Sequence, residues 1–189
     1  MKTKTACLLN GGDGAQEVDA LAKTLGSLLE AQGWSVDIQE IRSRKVAPCK
    51  GCFACWVATP GICIIDDDGR DVARRVVQSD LAAFITPLTF GGYSSVLKNA
   101  VDRLIPLILP YFHLVGGEVH HVPRYESYPR LLGVGLAGEG SSHAEEIFAR
   151  VVERNAINMQ ADKHGSCVVR ADGVDSDDLL ASALREVTA

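Results

Sequence analysis

Cys49, Cys52, Cys55 and Cys63 fall within one short stretch of the 189-residue chain, spaced C-x2-C-x2-C-x7-C. Four thiolates on one loop are a ligand set for an iron–sulfur cluster or for a zinc ion. The first three repeat the bacterial ferredoxin spacing, and Gly51 and Ala54 keep the turn uncrowded so that successive thiolates can converge on one centre. Structural zinc more often pairs two separated C-x2-C knuckles, which tilts the reading towards [4Fe-4S]. A redox dithiol, or disulfides among crowded thiols, are the competing readings. Cys7 and Cys167 sit in apolar, strand-like runs and read as inert core thiols.

Other residue types capable of chemistry carry weaker signals. His120-His121 lies in a segment without a compact ligand set, so the pair is read as exposed loop histidines rather than metal ligands. Lys98 and Asp102 are one helical turn apart and read as a surface ion pair. Asp102-Arg103 is read as fixing its helix against neighbouring structure. Tyr111, Phe112 and Tyr125 are placed to cover a ligand, meet a partner subunit or pack an arm, and Trp56 either shields a metal centre or packs the cysteine loop. No Ser-His-Asp spacing and no HExxH motif supports hydrolysis.

The elements that must position these residues alternate strand and helix. Strands are expected at Thr5–Leu9, Trp34–Ile41, Leu81–Thr86, Leu131–Leu136 and Gly165–Arg170. Helices are expected at Ala15–Gln32, about Gly69–Gln78, from Ser94 or Ser95 to about Ile105, at Ser142–Ile157 and at Asp175–Val187. The cysteine-rich loop, residues 48–65, fills the second connection. Residues 111–129 read as an inserted arm or hairpin. This pattern predicts an α/β fold, a doubly wound five-stranded parallel sheet with helices on both faces, in one domain over residues 1–189.

In such sheets ligands bind beyond the strand carboxyl ends. Three Gly- and Ser-rich loops share that edge: Asn10, Gly11, Gly12, Asp13, Gly14 and Ala15; Pro87, Leu88, Thr89, Phe90, Gly91, Gly92, Tyr93 and Ser94; and the turn with Gly138, Gly140 and Ser141. The first opens a long helix whose free amides suit a phosphate. Glycine in such loops also serves merely to turn the chain tightly.

Hydrophobic content of 47% and charged content of 23% are ordinary for a globular protein, and a net charge of −5 gives no footprint for nucleic acid or anionic membrane. No apolar run is long enough to span a bilayer, and Met1–Lys4 leads into a strand without a signal-peptide core. The expectation is a cytoplasmic protein, where six cysteines point to metal or redox chemistry rather than a disulfide frame.

The stretch Thr86-Pro87, Gly91 and Val96-Leu97-Lys98-Asn99-Ala100-Val101-Asp102-Arg103 resembles the flavin loop and following helix of the flavodoxin-like NAD(P)H-dependent FMN reductases. The cysteine run, with Pro60-Gly61-Ile62-Cys63 and Asp66-Asp67, is similar to the iron–sulfur flavoprotein branch of that group. The resemblance implies strand order 2-1-3-4-5, FMN with its phosphate on the first loop and its ring on Pro87–Ser95, and a [4Fe-4S] cluster on the four cysteines. It implies an oxidoreductase or electron-transfer module. The donor would be NAD(P)H or ferredoxin, the acceptor a small molecule or protein, and the assembly a dimer or tetramer. With no G-x-G-x-x-G fingerprint, a nicotinamide would bind only transiently over the flavin. The first loop departs from the group's pattern, since it has neither hydroxyl nor cation. A carboxylate about 5 Å from a phosphate would cost roughly 3 kcal/mol at an effective dielectric of about 20, so Asp13 must point away or bind through a counter-ion, or FMN affinity is reduced or lost. The alternatives are a non-enzymatic module with structural zinc or disulfides, and an FMN-only reductase with vestigial cysteines.

Overall fold

The computed structural model describes residues 3–14, 16–138, 143–170 and 176–189. Seven strands occur among them: β1 (Thr5–Asn10), β2 (Ser35–Glu40), β3 (Leu81–Pro87), β4 (Ile108–Val115), β5 (Glu118–Pro123), β6 (Arg130–Ala137) and β7 (His164–Arg170). Five of them form one parallel sheet in the order β2-β1-β3-β6-β7, which is the expected 2-1-3-4-5 once the inserted pair β4 and β5 is set aside.

The helices are α1 (Gln16–Ala31), α2 (Ala54–Val57), α3 (Asp68–Gln78), α4 (Ser95–Asp102), α5 (Ala144–Asn158) and α6 (Ser176–Thr188). Alternate residues of the central strands face opposite sides of the sheet. Leu8, Ala83 and Ile85 meet Val18, Leu21 and Leu25 of α1 and Leu180 and Leu184 of α6. Cys7, Leu9, Ala82 and Phe84 face the other way, against Val72 and Val76 of α3, Leu97 and Ala100 of α4, and Phe148 and Val152 of α5. Strand β3 is buried from Leu81 to Thr86, as a central parallel strand covered on both faces must be.

The inserted segment begins three residues earlier than expected and is an antiparallel β4–β5 hairpin with a register shift between Ile108 and Phe112. This corrects the reading of the histidines. His120 lies in β5 and is only 6% exposed, bonded to Asn158 and Glu118. His121 is stacked between Trp56 and Phe112, its Nδ1 2.8 Å from the Leu109 carbonyl. Helical spacing cannot reveal such a hairpin, because its inner face packs on α5 and on the cysteine loop rather than on the main sheet.

Candidate functional site

The carboxyl edge of the sheet brings two of the predicted loops into contact. Gly11 follows β1, and a Cβ placed on it would lie 2.4 Å from Leu97 Cβ, so the first loop presses directly on α4. Ser94 joins the same two segments. Its hydroxyl donates to the Gly11 carbonyl at 2.6 Å and accepts from Leu97 N at 3.1 Å, which caps α4. Its amide donates to the buried Thr86 hydroxyl at 2.9 Å.

The first loop is shaped from within. Asn10 is buried; its Oδ1 accepts from Gly12 N at 2.9 Å and its Nδ2 donates to Asp19 Oδ1 and Glu40 Oε2. Gly11 N donates to the Ile85 carbonyl at 2.8 Å. The amides of Gly11 and Gly12 and the Asn10 side chain are therefore engaged internally, and a phosphate here would rely on amides from Asp13 onward. Asp13 itself is exposed. A cation does reach this corner, although not from the loop: Arg42 pairs with Asp19 at 2.6 Å, and its charged form is favoured first by Asp19 and also by Glu40 and Asp13. The Asp19 carboxyl is held below the usual range by hydrogen bonds from Arg42 and Asn10.

The second loop is a tight hairpin. Thr89 and Gly92 exchange backbone hydrogen bonds of 3.0 and 2.9 Å around Phe90 (φ 52°) and Gly91 (φ 78°). Two consecutive positive φ values are the mark of a type I′ turn. Phe90 holds this conformation while fully exposed, and Gly91 has no room for a side chain because a Cβ would sit 2.7 Å from Ile147. Below the turn, Tyr93 is wedged edge-on between Phe84 and Phe148, accepts a hydrogen bond from Asn155 at 3.1 Å, and has its phenol pKa pushed up by burial. Leu88 N donates to the Leu136 carbonyl at 2.8 Å, anchoring the loop to β6. Gly138 follows that strand; Ala15, Gly140 and Ser141 lie outside the described residues.

The cysteines gather at the other end of α4. Cys49, Cys52, Cys55 and Cys63 line a single cavity of about 300 Å³, closed on the far side by Asp102, Arg103, Ile105 and Pro106. Cys55 is buried, Cys63 half-buried, and Cys49 and Cys52 exposed. Gly51 (φ 61°) and Phe53 (φ 54°) bracket Cys52 and turn the chain there. Phe53 then leads into the single-turn helix α2, which carries Cys55. Burial pushes the Cys55 thiol pKa up, and the charges of Cys63, Cys49 and Cys52 add to that rise, so the four groups share one electrostatic environment. Among the described residues no His, Cys, Asp or Glu cluster forms a ligand set for a single metal ion. Cys7 and Cys167 are remote core thiols whose pKa values burial raises to about 12 and about 11.

Two arginines that the sequence reading did not place on the cysteine loop hold it. Arg70 donates through Nε to the Cys63 carbonyl at 2.8 Å and through Nη2 to Ile64 at 3.2 Å. Arg103, on the residue after α4, is 2% exposed and chelates Asp67 at 2.7 and 2.9 Å. The same guanidinium donates to the carbonyls of Ala47 (2.8 Å) and Ile65 (3.2 Å), one on each side of the cysteines. Burial alone would raise the Asp67 carboxyl pKa, but hydrogen bonds from Arg103 and from the amides of Ala47 and Gly69 outweigh it and hold the group below its usual range. Trp56 packs the loop against the hairpin, donating to the Ile108 carbonyl at 2.9 Å and stacking on Phe53 at 5.0 Å.

The described NADPH-dependent FMN reductase family matches residues 13–119, more than half of the chain. The protein belongs to the NADPH-dependent FMN reductase family. A protein named iron–sulfur flavoprotein from Methanosarcina thermophila is 26% identical over 155 residues, covering 73% of this chain and 80% of the relative. Among solved structures, an azoreductase from Bacillus anthracis str. Sterne superposes with a TM-score of 0.66 at 13% identity, over 98% of this chain and 97% of that one. An FMN-dependent NADH-azoreductase from Bacillus anthracis str. Ames Ancestor, solved in complex with FMN, superposes with a TM-score of 0.64 at 12% identity, over 98% and 96%. At that identity the likeness is one of fold, and the fold is flavodoxin-like. No helix among the described residues is long and apolar enough to cross a membrane.

Proposed function

We propose that this family member is an FMN-dependent oxidoreductase that also carries a [4Fe-4S] cluster on Cys49, Cys52, Cys55 and Cys63. The observation that carries the cluster is the single cavity of about 300 Å³ lined by all four thiols. A lone zinc ion would draw four sulfurs to about 2.3 Å from one point; the ferredoxin-like spacing of Cys49, Cys52 and Cys55 favours the cluster over it. The relative from Methanosarcina thermophila bears the name of such a protein.

When bound, FMN supplies hydride and single-electron chemistry, and the cluster supplies single-electron transfer. The chain's own residues bind and orient. Pro87–Ser94 would offer its backbone to the flavin ring, and Thr86, Ser94 and Tyr93 hold that segment in place. The first loop would hold the ribityl phosphate through amides from Asp13 onward. Asp13 is exposed and free to face solvent, and Arg42 offsets the acids around it. Helix α4, eight residues and so about 12 Å long, has Ser94 at its start and Asp102 at its end. The proposed flavin and cluster sites thus lie at the two ends of one short helix.

NAD(P)H or ferredoxin is the proposed donor, with a small molecule or protein as acceptor. The exposed Tyr111, Phe112, Leu114 and Val119 of the hairpin suit contact with a second copy, giving a dimer or tetramer. Six free cysteines fit a reducing cytoplasm. The test is anaerobic purification with iron, sulfide and FMN quantified per chain. About four irons with FMN would support the proposal. FMN alone would reduce it to a simple flavin reductase, and stoichiometric zinc without colour would replace it with a structural module.

A further inference from the structure

Arginine carries five N–H donors. On Arg103 the four terminal ones are matched by Asp67 Oδ1, Asp67 Oδ2, Ala47 O and Ile65 O. The fifth, on Nε, is buried and finds no hydrogen-bond partner among the described residues. A buried donor without an acceptor is destabilising, so its persistence on a side chain held this firmly asks for a partner. Arg103 lines the cavity of the four cysteines. Cys63 lines the same cavity, and the two residues also line the neighbouring one together. Gly69 leaves room for the group, because a Cβ there would lie 2.9 Å from Arg103 Cζ.

We infer that Arg103 is a tuning residue for the metal centre, its Nε–H donating to the Cys63 thiolate sulfur and its positive charge stabilising the reduced state. This inference rests on the cluster reading above. A cubane held by four thiolates is an anion and becomes more negative on reduction, so a buried cation and a hydrogen bond to a ligand sulfur both favour the reduced form. Asp67 opposes part of that charge and also fixes the direction of the fork. The pair therefore sets the potential by difference, and the two residues act with opposite sign.

The test is a potentiometric titration of the reconstituted, iron-loaded protein, with the reduced cluster read by electron paramagnetic resonance. Arg103→Gln is expected to lower the reduced-to-oxidised ratio at a fixed potential about tenfold, a midpoint about 59 mV more negative for one electron. Asp67→Asn is expected to shift the midpoint in the positive direction, and Arg103→Lys, which keeps the charge without the fork, to fall between wild type and Arg103→Gln. A general loosening of the loop would not produce opposite signs. Loaded variants with unchanged midpoints, or shifts of one sign only, overturn the inference and leave the cluster intact. A wild type that binds no iron removes the cluster reading and this inference with it. For variants that fail to fold, pulsed resonance on wild-type protein grown with ¹⁵N-arginine gives an independent answer. A ¹⁵N coupling to the reduced cluster that survives Arg70→Lys is expected, and its absence overturns the assignment.

Discussion

Ser94 Oγ donates to the Gly11 carbonyl across 83 residues of sequence while accepting from Leu97 N in its own helix. One hydroxyl thus caps α4 and ties the loop after β1 to the loop after β3. Replacing Ser94 by Ala removes the cap and leaves a buried carbonyl and a buried amide unmatched. The expected loss is about 1–2 kcal/mol in a urea titration. Because both loops belong to the proposed flavin site, FMN affinity measured by fluorescence quenching should weaken by about tenfold. A variant as stable as wild type with unchanged affinity would show that the two loops are held by other contacts.

Phe90 is fully exposed at a left-handed backbone position. A side-chain-bearing residue there costs about 1–2 kcal/mol, and asparagine tolerates it better. Phe90→Asn should therefore raise the unfolding free energy, by about 1 kcal/mol. If the ring exists to cover a bound flavin or its reaction partner, the same variant should lose turnover. Stability and activity that rise together would remove Phe90 from the site.

Removing the thiol of Cys55, the buried member of the set, by Cys55→Ser should abolish bound iron after reconstitution, whereas Cys167→Ala should leave iron per chain unchanged. Iron content falling equally in both variants would mean that the metal is not held by the loop.

Asp71 is ringed by Arg44, Arg74 and Arg75. Burial would raise its carboxyl pKa, but the hydrogen bonds from Arg75, Arg74 and Arg44 and the charge of Arg75 bring it from 3.8 down to about 2. A folded pKa below the unfolded one means that the stabilisation is complete above 3.8. It is lost as pH falls towards about 2, where the unfolded chain takes up a proton that the folded chain refuses. Asp71→Asn should lower the stability of the apo-protein at neutral pH and flatten its decline across that acid window. An acid limb as steep as that of wild type would show that other carboxylates govern it.

The order of the main sheet was legible because parallel strands buried on both faces leave continuous apolar runs, as in Leu81–Thr86, punctuated by helices with clear starts such as Ser94. The spacing put four cysteines on one loop, and the fold places all four around one cavity. The hairpin was read only as an arm, because its strands lie apart from the main sheet, and His120 was misjudged as exposed for that reason. Asn10 was offered as a phosphate ligand, yet its amide is used up by Asp19, Glu40 and Gly12, partners that only the fold brings near. The Arg103–Asp67 clamp spans 36 residues, and no local pattern marks a pair so far apart.

Ala47 and Ile65 flank the cysteine segment, and the Arg103 guanidinium that donates to both of their carbonyls fastens the loop at its base. The entropy of closing that loop is met by protein–protein bonds, independently of iron. Metal-dependent fingers fold only as the ion arrives; the loop proposed to receive iron is instead tied down by the protein's own bonds, so that loading it would be the filling of a finished vessel. Apo-protein should accordingly match the loaded form in far-ultraviolet circular dichroism, and a cluster lost to oxygen would leave behind a chain ready to be charged again.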